Sequence, residues 1–394
     1  MIGVAVLSLI KSKSVSFAEE TLHILTSFFP LVLSFAYCLG YKEIIGTMIA
    51  CIAMIFASTE KTGKMMPVYL AFLITGYAFK NDIKVVLYSS VICGALLIIS
   101  AFCFEKLKKL FTVSAVSGVM LAGALTATVL FTTDYFGIGA TGNTVKEMIA
   151  SYLSLGFHPN WRGVLYGTIV MVIMITFPRK FKKFNKTVAA PFAALALTLI
   201  LNIFLNPADL GTSINEISDS DIIFVKMFLT SRFSDFEPSS LAIAVSCGIS
   251  LFIVCFYAIS SDKNAKGTDY ILGGAANAVF CGAFNLPLPY VVRKEKRSIL
   301  PGIAAAAIAF LIFWFGEEIL LRIPLHSCAV VIIVGAWQSV KWGEIKKAFS
   351  GIVPVICFIF SVASCLILGI VNGILVSAIV SIIYSGFSKK LKDF

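Results

Sequence analysis

Charged side chains are scarce in this chain. Asp, Glu, Lys and Arg together make up 13% of 394 residues, and only three histidines are present. A soluble domain of this size cannot cover its apolar surface with so few charges, which excludes a water-soluble globular protein. No polar segment is long enough to fold as a second domain, so a single membrane domain over residues 1–394 is expected. There is no CxxC spacing either. The ten cysteines all sit inside or at the ends of apolar runs, as small buried packing residues do. Gly118/Gly123 and Gly273/Gly274 lack the lysine and Ser/Thr that end a nucleotide loop, and fit close helix packing better. Glu317 and Glu318 form a carboxylate pair without a recognisable cleft partner. No catalytic residue, metal site or cofactor is expected, and the chain does not read as an enzyme.

What is present is apolar length. Hydrophobic residues are 59% of the chain and the mean hydropathy is +0.94. A bilayer core about 30 Å thick needs roughly 20 apolar residues per spanning helix. Such stretches fall at residues 22–40, 44–57, 85–104, 112–131, 163–177 and 187–206, with a short piece at 67–79. The second half repeats the layout at 241–259, 271–284, 299–315, 324–337, 352–368 and 370–384, with a short piece from Pro287. The fold class expected is therefore all-α integral membrane with about 14 segments. Residues 1–10 are apolar but are followed, not preceded, by Lys11 and Lys13, so they read as an interfacial lead-in and not as a cleaved signal.

Fourteen segments place both termini on one side. That side carries 24 of the 32 lysines and arginines, so both ends are expected in the cytoplasm of an inner or plasma membrane. The net charge of +11 is spread over every loop of that side, which speaks for topology and lipid headgroups and against nucleic acid. The sequon at Asn185 falls on the same side and is discounted. The two longest loops, 132–160 and 207–240, fall outside. The second is rich in acidic residues and reads as a solvated loop.

The halves match in spacing. From Leu22 to Pro67 is 45 residues, and from Leu241 to Pro287 is 46. Both prolines open an apolar piece too short to cross. Seven spans repeated once must be inverted, which suggests repeats at 20–206 and 238–388. Short segments at matching places in inverted halves point to a midplane binding site. The first N–H groups of a half-helix have no intrahelical partner and favour an anion, and proline suits the first turn.

The run from Tyr270 to Pro287, the segment Ile323-Pro-Leu-His-Ser-Cys to Trp337, and the weaker features Phe29-Pro30, Pro67-Val68 and Ser117-Gly118 resemble the SulP family of sulfate-permease and prestin-like anion transporters. The resemblance implies a 7+7 inverted repeat with core and gate subdomains, and a small anion bound between the third and tenth half-helices beside the first span. Carried over by position, the substrate site comprises Phe29, Pro30, Leu31 and Ser34, then Met66, Pro67 and Val68, then Leu286, Pro287, Leu288, Arg293 and Lys294. A cation at Arg293 or Lys294 would add to the half-helix dipoles. No STAS domain of the kind usual in the family is expected after the last span, which leaves room for a separate STAS-type protein as partner and for a homodimer. Two departures stand out. Leu31 and Val32 replace polar site residues, and Phe256 and Tyr257 occupy the neighbourhood of a usual acid, which argues against proton symport. The function implied is secondary transport of sulfate, bicarbonate, chloride or a dicarboxylate. The alternatives are a nucleobase-type permease and a degenerate, non-transporting membrane partner.

Overall fold

The computed structural model describes residues 2–39, 68–81, 83–142, 144–182, 184–206, 238–260, 266–268, 270–271, 274–275 and 300–390, and among these no strand occurs. The second predicted span (44–57), most of 271–284, the piece from Pro287 and the acidic loop lie outside the described residues. In chain order the helices are α1 (Ile2–Leu39), α2 (Val68–Asn81), α3 (Ile83–Ser100), α4 (Phe104–Lys108), α5 (Val113–Phe136), α6 (Val145–Leu155) and α7 (Trp161–Lys180). They continue as α8 (Ala190–Leu205), α9 (Pro238–Ser260), α10 (Leu300–Leu320), α11 (Leu325–Ser339), α12 (Trp342–Ala348), α13 (Ile352–Ile367) and α14 (Ile370–Lys390). Of these, α5, α7 and residues 240–257 of α9 are long and apolar enough to cross a membrane. The pair α11 and α12, bent by 49°, adds a fourth if it is one span.

Two boundaries differ from the sequence expectation, each for a local reason. The lead-in is not separate from the first span: α1 runs unbroken from Ile2, because no glycine or proline interrupts residues 4–29. The expected outer loop 132–160 is largely helical. There α5 continues to Phe136 and closes on Gly137 in the left-handed region, φ 68°. Thr144 then opens α6, its hydroxyl accepting from the Glu147 N–H at 3.2 Å, in a Thr-x-x-Glu order that suits a helix start.

The helices pack as two groups that meet where α9 touches α14 and α2 touches α5, with α1 packed on α8, α10 and α11. On one side α3 lies along α9, with α2 against both. On the other, α5 is surrounded by α11, α13 and α14, and α7 packs on α11 and α8. Small residues permit the closest approaches. A Cβ on Gly118 would stand 2.6 Å from the Phe358 carbonyl oxygen of α13, and one on Gly248 would stand 2.8 Å from Ile92 of α3. This is the close packing expected of membrane helices, where backbones approach through glycine. Polar side chains tie the groups internally: Trp337 Nε1 donates to Thr128 at 2.8 Å, and Ser381 accepts from the Thr112 N–H at 2.7 Å. Cys93, Cys247, Cys255, Cys328, Cys357 and Cys365 are buried and form no disulfide among the described residues.

One tie joins α1 to the start of α8. The Thr26 hydroxyl donates to the Leu22 carbonyl at 2.8 Å and accepts from the buried Ala189 N–H at 3.1 Å. Thr26→Val keeps the shape and orphans that N–H. It is expected to cost about 1–3 kcal/mol, read as a lowered unfolding temperature in detergent, whereas Thr26→Ser should restore it.

Candidate functional site

A cavity of about 510 Å³ lies between the two groups of helices. One wall is α1 and α2, contributing Phe35, Cys38, Phe72 and Tyr77. The opposite wall is the face of α5 that carries Thr126, Leu130 and Asp134, residues four apart and therefore stacked on one side of the helix. The segment into α6 and the turn from α13 to α14 close the rest, the latter with Gly369 at φ 81°.

The cavity has a polar mouth and an aromatic floor. At the mouth, Lys80, Thr141 and Asn372 are exposed. Lys80 Nζ donates to the Gly142 carbonyl at 3.1 Å and lies within electrostatic range of Asp134 and Glu147. The floor is Phe35 of α1 stacked on Phe72 of α2, with ring centroids 4.0 Å apart, and Phe131 of α5 meeting Phe35 edge-on at 5.9 Å. All three rings are buried. Offset stacks and edge contacts of this kind hold rings in fixed positions. Beside them the Thr126 hydroxyl is buried and has no partner among the described residues.

The predicted site residues are only partly brought together. Phe29, Pro30, Leu31 and Ser34 lie in the packed interior of α1, and none of them lines the cavity. Ser34 sits beside the Cys328 thiol of α11. Phe35 is one helical turn beyond Leu31, and Phe72 one turn beyond Val68. The cavity thus ends one turn from two of the three predicted neighbourhoods. Val68 is the first residue of α2. Met66, Pro67, Leu286, Pro287, Leu288, Arg293 and Lys294 lie outside the described residues.

Sequence reasoning missed Lys80 and Asp134. Asp134 falls in the expected outer loop, because the apolar run stops at Phe131. The helix continues to 24 residues, about 36 Å, which exceeds a hydrocarbon core of about 30 Å and carries Asp134 to its boundary. The hint was present in Thr132, Thr133 and Asp134 followed by Tyr135-Phe136-Gly137, a helix continuation ending in a C-cap glycine.

No protein-family model and no curated protein sequence matches this chain. Solved structures do. The transmembrane domain of the bicarbonate transporter BicA from a cyanobacterium matches at TM-score 0.64 and 16% identity, over 93% of this chain and 96% of that one. SLC26A9 matches at TM-score 0.68 and 12% identity, over 96% of this chain and 66% of that one. The murine Slc26a9 anion transporter in its inward-facing state matches at TM-score 0.65 and 11% identity, over 95% of this chain and 68% of that one. The chain has the transmembrane-domain fold of these proteins. It spans nearly all of the BicA domain and about two thirds of the SLC26A9 chains.

Proposed function

We propose that this chain is a secondary transporter of a small anion, working by movement of the α2–α3–α9 group against the α5–α11–α13–α14 group. The observation that carries the reading is the cavity between those groups, which leads from an exposed mouth to the buried contact of α1 with α2. The described part of α2 is 14 residues, about 21 Å, and a helix opening at the Pro67-Val68 step would be too short to cross alone and would suit a site within the membrane. The fold likeness supports the same reading, since the neighbours include a bicarbonate transporter and an anion transporter.

The domain plan belongs to this proposal: repeats at 20–206 and 238–388 in inverted orientation, both termini cytoplasmic, and an anion between α2 and the piece from Pro287. So do Met66 to Val68 and Leu286 to Lys294 as site residues, and a homodimer or a separate STAS-type protein as partner. The non-transporting alternative rested on Leu31 and Val32 replacing polar residues. Both are buried against neighbouring helices, outside the cavity lining, so their apolar character does not obstruct it. A nucleobase permease would place a carboxylate at the half-helix starts. Asp134 instead stands with Lys80, which lies 12 residues and about 18 Å along α2 from Val68.

Binding is tested by thermal unfolding in detergent with sulfate, bicarbonate, chloride or a dicarboxylate added. A specific anion at about 100 times its Kd should stabilise the protein by about 2.7 kcal/mol. Substituting Arg293 and Lys294 together with glutamine should shrink that shift; an unchanged shift would remove both residues from the site. Folded protein that neither binds nor carries any of the four would support the non-transporting partner.

A further inference from the structure

The cavity mouth holds a cation and an acid that simple anion binding leaves unexplained. Lys80, in the last turn of α2, is held at the mouth by its hydrogen bond to Gly142 in the segment between α5 and α6. Its ammonium is thereby given to a carbonyl, while the Asp134 carboxylate faces the same space from the end of α5. The titratable groups around Asp134 are Lys80 and Tyr77 from α2, Cys38 from α1, Cys328 from α11 and Cys365 from α13, with Glu147 of α6 in electrostatic range of Lys80. The turn into α14 adds only the neutral Asn372. Lys80 is thus the one cation lining the cavity among the described residues, and Asp134 the one carboxylate.

We propose that Lys80 and Asp134 form a proton-set charge filter at the cavity mouth, attracting an anion when Asp134 is protonated and losing that attraction when Asp134 is ionised. This rests on the anion-transport reading and adds to it a pair of selectivity residues and the direction of pH control. The physics is a sum of two charges. With both groups ionised, the lysine and carboxylate fields nearly cancel for an incoming anion. A proton on Asp134 leaves the Lys80 field unopposed, so anion occupancy rises as pH falls. The cavity walls are low-dielectric helices, which makes each unit charge count for more than it would in bulk water. Past the filter, the Thr126 hydroxyl is buried beside the aromatic floor and has no partner among the described residues.

The filter can be read without any transport. Thr141, exposed on the rim, is replaced by cysteine (Thr141→Cys) as a reporter, since only its backbone N–H is used, donating to Ser151. The labelling rates of a negatively charged and a neutral methanethiosulfonate reagent are then compared as a ratio, which cancels the thiolate fraction. The expected ratio is about fivefold higher at a pH low enough to protonate Asp134 than at about pH 8. That is the factor for one unit charge at about 8 Å with an effective dielectric of about 40. Adding Asp134→Asn should raise the ratio at the higher pH and flatten its pH dependence, whereas Asp134→Glu should keep that dependence. Adding Lys80→Gln should lower the ratio about fivefold at both pH values. An unaltered neutral-reagent rate shows that each variant keeps its fold. A ratio that ignores Asp134→Asn, or a pH dependence that survives it, overturns the filter. A failed flux assay with the expected ratios would instead overturn the transport reading and leave the charge arrangement standing.

Discussion

Replacing Gly118 with leucine is expected to remove most of the folded protein. The new Cβ would stand 2.6 Å from the Phe358 carbonyl oxygen and 2.9 Å from the Ser361 Cβ. The first neighbour is backbone, so no side chain can rotate away, and α13 must move off α5. Overpacking a tight contact costs about 1–3 kcal/mol or more, and here it separates one of the most closely packed helix pairs in the molecule. We expect a loss at the upper end, about 3 kcal/mol, seen as aggregation on size-exclusion chromatography and a lowered unfolding temperature. Gly139→Ala is the matched control: a Cβ there meets nothing within 4 Å, and stability should be unchanged. Equal behaviour of the two variants would mean that α5 and α13 are not in direct backbone contact.

The second large effect is expected on function. Phe72→Trp enlarges one ring of the floor. Phe72 is buried against Phe35 and borders the cavity, so the nearest space that can take the added ring is the 510 Å³ cavity. Because that space receives the ring, stability should fall by no more than about 1–3 kcal/mol. Anion flux should fall at least about tenfold, a change of about 1.4 kcal/mol or more in the barrier for passage. Flux equal to wild type would place the route elsewhere. A variant that fails to fold is recognised by its chromatographic profile and replaced by Phe72→Tyr, which adds one oxygen and should slow flux less.

The sequence disclosed the fold class through composition alone, and it located most helices because long apolar runs leave few other options in lipid. Glycine packing at Gly118 and Gly123 was legible too, since small residues inside apolar helices have a narrow range of uses. The site was legible only as neighbourhoods. Periodicity shows that Phe35 follows Leu31 by one turn, but it does not show which of the two faces a space between helix groups. That depends on how α1 rotates between α10 and α11, a property of the assembled bundle. Leu31 and Val32, expected to stand in place of polar site residues, are buried one turn from the cavity and outside its lining. Lys80 and Asp134 escaped because they are 54 residues apart in the chain and each ends its helix at the point where hydropathy fades. A hydropathy boundary marks where lipid stops, whereas a cap such as Gly137 marks where the helix stops, and Asp134 lies between the two.

The central claim is that an anion crosses this protein through the cavity between the two helix groups. It is tested most directly by isotope uptake into liposomes containing the purified wild-type protein, with sulfate, bicarbonate, chloride or a dicarboxylate supplied outside and the same anion loaded within. The account predicts that at least one of the four is taken up well above protein-free liposomes, and that excess unlabelled anion of the same kind suppresses the uptake. Folded, correctly inserted protein that moves none of the four would contradict it.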